Sequence, residues 1–453
     1  MAEEEKNEGV ELVGDSEQNA ADAAKAERSG RQFSRRQLIG GVAAGVVGGA
    51  LVGTGVTHVV KESINNDTNP GGAAYTRIEL NNACPFYDLD YPSGIVDASQ
   101  RYCNFVMFDM KEGTTKTDLQ LLLARWTAAI ATMQSGKTLG QIRPDFSTSS
   151  VPKDMGECAD LDPCSLTITV GFGPSLFDSR FGLESFKPEH EYFKEWERIT
   201  NERLISDLTT GSDIAMQICS DDRQVNFHAV HSLARIARGK AKIKFMQDGF
   251  LPIRQSTKQP TPRDLFGFRD GTTNPTEDAE FEEFLWVKDT KQAWLKNGSF
   301  MCYGRTIADV ETWESDRISD QEQLVGRRKD TGAPLSNPDG DEFDIPDLNA
   351  KDADGNYLID PNSHVAITSD QRLGFKVLRR SYNYWTGLND HGDQNAGFLN
   401  CVFVNDPYRY WLLRDDMGRY DRLNEYYYDD YRGVYAVPHA PATGTYLGQE
   451  FFE

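Results

Sequence analysis

The feature that most constrains this chain is an order of strand-like and helix-like segments that occurs twice. In the first half, residues 103–108 alternate as a strand. Thr117 opens a long helix whose Leu119, Leu122, Leu123, Trp126 and Ile130 share one face. Residues 166–172 and 213–219 are strand-like, 223–238 are helical, and 241–245 close the half as a strand. The second half repeats the order, with a strand at 299–307 and a helix at 310–328. Strands at 375–385 and 398–404, a helix at 407–427 and a short strand at 434–437 follow. Each half thus reads β-α-β-β-α-β, the ferredoxin-like unit. The predicted fold class is α+β, a duplicated ferredoxin-like fold with antiparallel sheets. Its first domain spans 78–262 and its second 263–453.

What precedes these halves has a different character. Residues 1–62 begin with an acidic, Ala-rich stretch that cannot bury enough apolar surface to fold. Arg35-Arg36 then stand ahead of a Gly/Ala/Val run that reaches Val60. A twin arginine before a modestly apolar segment reads as a Tat export signal. The run is also long enough to span a bilayer, so retention as an N-terminal anchor stays open. Residues 63–77, with Asn-Asp and Pro-Gly-Gly, read as a linker. These features place the mature protein outside the cytoplasm or at the cell envelope.

A formal net charge of −22 argues against a nucleic-acid partner. The seven cysteines form no C-x-x-C pair, which disfavours a zinc-ribbon or thioredoxin-like site. Cys103, Cys219, Cys302 and Cys401 fall in apolar strand-like runs and read as small core residues. Cys158 and Cys164 share a Pro- and Asp-rich loop, where export would permit a disulfide that spacing alone does not establish.

Two stretches carry candidate chemistry. Gly267-Phe268-Arg269-Asp270-Gly271-Thr272-Thr273-Asn274-Pro275 sets an acid in a glycine-flanked turn. The other begins at His364, after a long irregular stretch from Thr331 to Ser363 rich in Asp, Pro, Asn and Gly, and runs to Arg379 and Arg380. An imidazole there is a candidate iron ligand, and Asp270 with Arg379 can handle protons and charge. Strand alternation points Arg380 to the face opposite Arg379. His228 and His231 share a helix face, a spacing more often found in packing or solvated pairs. Each piece has a bland reading as well: a turn, a structural histidine, an ion pair.

Taken together these stretches resemble the dye-decolourising (Dyp-type) haem peroxidase family, whose hallmark is Gly-x-x-Asp-Gly followed much later by a ligand His and an Arg. Gly171-Phe172-Gly173-Pro174-Ser175-Leu176-Phe177 is similar to the family's first-domain signature. The stretch from Val325 to Leu335 and the ending Tyr446-Leu447-Gly448-Gln449 match in the same order. The resemblance covers the chain beyond residue 78, and with the twin arginine it points to the exported, deferrochelatase-like branch.

The resemblance implies one haem b per chain, bound mainly in the second domain. It implies a peroxidase that reduces hydrogen peroxide through a ferryl intermediate and oxidises dye-like or phenolic reductants. It assigns His364 as axial iron ligand, Asp270 and Arg379 as catalytic residues, and Asp406 as the carboxylate behind the histidine. Gly271, Thr272, Thr273, Arg379, Asp370 and Gln371 would contact haem. The bland reading of Asp406 is a cap on the helix beginning with Pro407, and the two roles are compatible because a carboxylate has two oxygens. Ala366 departs from the family, many members of which carry an Arg two residues after the ligand His. The family's other associations are haem or iron handling with iron-uptake components, and self-association. Tyr382, Tyr384, Trp385 and Tyr426-Tyr427-Tyr428 are either electron relays or, as the favoured reading, packed aromatics.

Overall fold

The computed structural model describes residues 80–143, 151–195, 210–252, 261–269 and 273–453. The export signal and the linker lie outside the described residues, as do Asp270, Gly271 and Thr272. No helix among the described residues is long and apolar enough to cross a membrane.

The first half contains β1 (Tyr102–Met110), α1 (Lys116–Gln134), β2 (Thr167–Phe172), β3 (Ile214–Ser220), α2 (Arg223–Ile236) and β4 (Ala241–Phe250). Its strands lie in the order β2-β3-β1-β4, all antiparallel. Chemistry explains the helices. Thr115, not Thr117, caps α1: its hydroxyl accepts from the Asp118 N–H while the Asp118 carboxylate accepts from the Thr115 N–H, a reciprocal capping box. Leu119, Leu122, Leu123, Trp126 and Ile130 are all buried, as their spacing requires. Fully burying each such side chain contributes roughly 1.5–3 kcal/mol. The Trp126 indole N–H also donates to the Leu233 carbonyl at 2.9 Å, which ties α1 to α2.

The second half opens with α3 (Asp278–Phe284) and β5 (Ser299–Ala308). Then come α4 (Val310–Glu314), α5 (Ile318–Val325), α6 (His364–Thr368) and α7 (Asp370–Leu373). β6 (Leu378–Arg379), β7 (Tyr382–Leu388), β8 (Gln394–Val404), α8 (Pro407–Tyr420) and β9 (Tyr427–Val437) complete it. Its strand order, β9-β5-β8-β7, is the same permutation seen in the first half. The duplicated ferredoxin-like fold is therefore present.

The two halves share one sheet. Phe172 of β2 pairs with Ala436 of β9, and Phe250 of β4 pairs with Asn383 of β7. With β5 bonded to both β8 and β9, the strands close on themselves. Closure satisfies the edge groups that an open sheet would expose. The interior is aromatic: Phe105 stacks on Tyr303 at 3.7 Å between centroids, and Phe245 on Tyr431 at 3.8 Å.

Several elements differ from the sequence expectation. The helix expected at 310–328 is two helices. Gln321 sends its amide back to the Trp313 and Asp316 carbonyls, satisfying the end of α4, and Gly326 at φ +94° terminates α5. The strand expected at 375–385 is also interrupted, at Arg380-Ser381. There the Arg380 carbonyl accepts from the Gln217 amide at 3.2 Å, and its side chain reaches Asp97 O and Gln100 Oε1 in the first half. The last helix ends at Tyr420, and Tyr427 already belongs to β9, which is much longer than its expected four residues.

Candidate functional site

A cavity of about 670 Å³ opens in the second half. That volume lies in the range of pockets that bury small ligands and cofactors. Phe266, Phe268, Phe398, Val402, Leu413 and Met417 supply apolar wall; His364, Thr273, Asp370, Gln371 and Arg379 also line it. Every described residue that the resemblance assigned to haem contact thus borders this one cavity.

His364 is the first residue of α6, behind its N-cap Ser363. Gly326 makes this placement feasible, because a Cβ there would stand 3.0 Å from Ser363 Oγ and would need the left-handed backbone that glycine tolerates. The imidazole Nδ1 lies 2.7 Å from Asp421 Oδ2, while a third of the side chain remains exposed. Asp421 is fully buried. Its other oxygen accepts from the Leu423 N–H at 2.9 Å, and Oδ2 also accepts from the Tyr427 hydroxyl at 3.1 Å. Burial, with the Asp421 charge beside it, holds the Tyr427 phenol well above its ordinary pKa, so it stays a donor. Two further bonds clamp the segments that carry the pair: Arg422 N–H donates to Asn362 O at 3.1 Å, and the Arg422 guanidinium meets Asp360 at 2.5 Å.

This corrects the expectation for Asp406. Its carboxylate caps α8, accepting from the Tyr408 N–H at 3.0 Å, and the carboxylate on His364 is Asp421. The family resemblance points to Asp406, at the end of its strand. Asp421 stands just past the end of α8, in the six-residue connection to β9 that the helix expected at 407–427 covers, and no periodic pattern marks it.

Arg379 ends β6 and sits in the cavity wall. Asn274 holds it as a strand neighbour would: its side chain accepts from the Arg379 N–H at 3.1 Å and donates to the Arg379 carbonyl at 2.9 Å. The guanidinium also donates to Thr273 Oγ1. The 267–275 stretch and the 364–379 stretch, far apart in sequence, therefore do meet. Arg380 points the other way and is 2 % exposed, as strand alternation predicts.

Asp370 and Gln371 lie at the start of α7, with the Gln371 amide donating to the Pro346 carbonyl at 2.9 Å. Further cations line the cavity: Arg263, Arg269, Arg327, Arg414 and Lys376. Ala366 is buried, and no cation takes its place on α6. Tyr382 and Tyr384 are buried in β7, while Trp385 is 63 % exposed and hydrogen-bonded to Gln394. Cys158 and Cys164 are free thiols, as are the other five cysteines.

The residues fit a haem. One imidazole has its Nδ1 fixed on a buried carboxylate, which leaves Nε2 as the metal-binding atom. Much of the surrounding wall is apolar, and guanidinium groups, the side chains that bind carboxylates best, line it as well.

Comparison with known proteins decides the family. A model described as Dyp-type peroxidase, N-terminal, matches residues 92–251, and one described as Dyp-type peroxidase, C-terminal, matches 261–442. The chain belongs to the Dyp-type peroxidase family. It is accordingly a haem peroxidase, an oxidoreductase with haem as its cofactor. Deferrochelatase of Yersinia pestis bv. Antiqua is 29 % identical over 431 residues, covering 93 % of this chain and 95 % of the relative. Dye-decolorizing peroxidase of Thermobifida fusca is 29 % identical over 441 residues, covering 94 % and 98 %. The oxyferrous complex of DtpA from Streptomyces lividans superposes with a TM-score of 0.75 at 30 % identity, covering 83 % of this chain and 99 % of that one.

Proposed function

We propose that this Dyp-type peroxidase holds its haem through His364, reduces hydrogen peroxide there, and draws electrons from small dye-like or phenolic reductants. The observation that carries the reading is one cavity bordered by both an imidazole fixed on a buried carboxylate and the Arg379 guanidinium. Haem, when bound, supplies the redox-active iron. His364 Nε2 is the ligand atom, and Asp421, by accepting the Nδ1 proton, fixes the tautomer and strengthens the ring as a donor. Arg379 carries a charge at every working pH and stabilises the negative charge that develops as the peroxide O–O bond breaks.

Asp270 is assigned from its motif. It takes a proton from one peroxide oxygen and delivers it to the other, which leaves as water. A carboxylate with an ordinary pKa of about 3.9 performs this best in mildly acidic solution. Thr273, Asp370 and Gln371, with Gly271 and Thr272 by resemblance, form the walls against the macrocycle. The twin arginine supports export by the Tat pathway.

An absorbance titration tests the reading. The Soret band of haem-loaded protein at acidic pH should shift on one equivalent of hydrogen peroxide and return when a reducing dye is added. A haem spectrum indifferent to peroxide would overturn it. A second reading, release of iron from haem, is favoured by the name Deferrochelatase carried by the Yersinia relative. Appearance of metal-free porphyrin fluorescence from haem under reducing conditions distinguishes it.

A further inference from the structure

Away from the haem cavity, a loop and a helix bring four metal-ligand side chains together. Asp154 and Glu157 lie in the connection between α1 and β2. His228 and His231 lie three residues apart on α2, hence on one face. None of the four lines the haem cavity. One ligand atom from each of Asp154, Glu157 and His228 lies within 4.8 Å of the other two. His228 Nδ1 is 3.2 Å from Glu157 Oε1, and His231 Nδ1 is 3.8 Å from the same oxygen.

The polar accounting here is unusual. Both Glu157 oxygens, His228 Nδ1 and His231 Nδ1 are buried and make no hydrogen bond among the described residues. The His228 side chain is only 5 % exposed. A buried polar group without a partner is costly, and here one Glu157 oxygen stands within 3.8 Å of both histidine Nδ1 atoms. By contrast Asp154 is fully satisfied, accepting from Leu139 N–H at 2.7 Å and Gly156 N–H at 2.8 Å. It faces the far nitrogen of His228, Nε2, at 3.6 Å.

We propose that Glu157, His228 and His231 bind a divalent transition-metal ion of the zinc class, with Asp154 orienting His228 from behind. The donor set decides the class. Two imidazoles and one carboxylate suit zinc and its neighbours, whereas calcium and magnesium take all-oxygen sites. In a tetrahedral site with bonds near 2.0–2.1 Å, donors stand roughly 3.3 Å apart. The Glu157–His228 separation already matches, and His231, a third exposed, closes the remaining half ångström by a small side-chain rotation. A carboxylate behind a ligand histidine is the usual device for setting its tautomer. The ion staples the 153–158 loop to α2, and a ligand of the folded state raises thermal stability increasingly as its free concentration exceeds its Kd.

Zinc titration calorimetry on tag-free, full-length, haem-loaded protein after chelator dialysis tests this. The expected result is one equivalent of Zn²⁺ per chain and a higher Tm with zinc than without. Glu157→Gln and His231→Gln should each weaken zinc binding by about tenfold or more, and abolish the Tm rise, while the Soret band stays unchanged. Both changes are near-isosteric or on a partly exposed side chain, and circular dichroism confirms folding. The absence of stoichiometric zinc binding by the wild type overturns the proposal. Unchanged binding in both variants overturns it as well.

Discussion

At the scale of single residues, the structure separates side chains that adjacency in sequence leaves equivalent. Asp421 and Asp406 both flank α8, yet only Asp421 touches His364. His364→Ala should therefore abolish the Soret band. Asp421→Asn should keep it but weaken haem affinity by about 10–100-fold, read by haem titration. Asp406→Ala should leave the spectrum intact and lower stability by about 1 kcal/mol, the value of a lost helix cap. Arg379 and Arg380 divide in the same way. Arg380→Ala strands the Asp97 carbonyl and the Gln100 amide oxygen in the core and should cost about 3 kcal/mol in a denaturant titration. Arg379→Leu should leave stability nearly unchanged and remove peroxide turnover. Alternation alone made the opposite facing of Arg379 and Arg380 legible; the choice of His364 among several histidines, and of Arg379 over its neighbour, rested on the family resemblance. Asp421 was not legible, because its role depends on where the chain turns after Tyr420, which side-chain periodicity does not encode.

At the scale of elements, the duplicated order was readable because each strand and helix carries its own period of two or of 3.6 residues. The failures cluster where an element is broken by a contact from elsewhere. The helix from 310 breaks after Glu314 because the Gln321 side chain takes over the backbone carbonyls at the break, and the strand from 375 breaks where Arg380 reaches across to the first half. Gly326 shows how such a break serves the site. It ends α5 at positive φ, and a Cβ there would press on Ser363, the cap of the helix that begins with His364. Gly326→Ala should thus cost about 1–2 kcal/mol through the left-handed backbone alone. It should also displace Ser363 and with it His364. The check is a paired measurement of Tm and haem affinity. A fall in Tm with haem affinity unchanged would show that α5 and α6 are not coupled in this way.

At the scale of the whole molecule, the closed sheet leaves the C-terminal segment as the last tie between the halves. After β9 the chain crosses back to the first half, where Leu447 N–H donates to the Thr127 hydroxyl on α1 at 3.1 Å and the Gln120 amide reaches the Tyr446 hydroxyl at 2.8 Å. Phe451 is fully buried against Phe172, Phe177 and Trp294. One ion pair pins this return: His439 Nε2 lies 2.8 Å from Glu450. The bond to Glu450 raises the His439 pKa against the opposing effect of burial. Burial pushes the Glu450 carboxyl upward, but the bond to His439 overrides it and the net shift is downward. The signs define a window. The raised histidine contributes stability that is complete below its unfolded pKa of about 6.5 and fades as pH rises through the folded value. The lowered carboxylate contributes above its unfolded pKa of about 4.3 and loses its contribution as pH falls through the folded value. Both terms are present together only between those limits. Glu450→Gln should therefore lower Tm more at about pH 5.5 than at about pH 9, where His439 is neutral in either protein. Thermal melts of the wild type and Glu450→Gln at the two pH values measure the difference. An equal deficit at both would mean that packing of Phe451, rather than the charge pair, holds the C-terminal segment across the two halves.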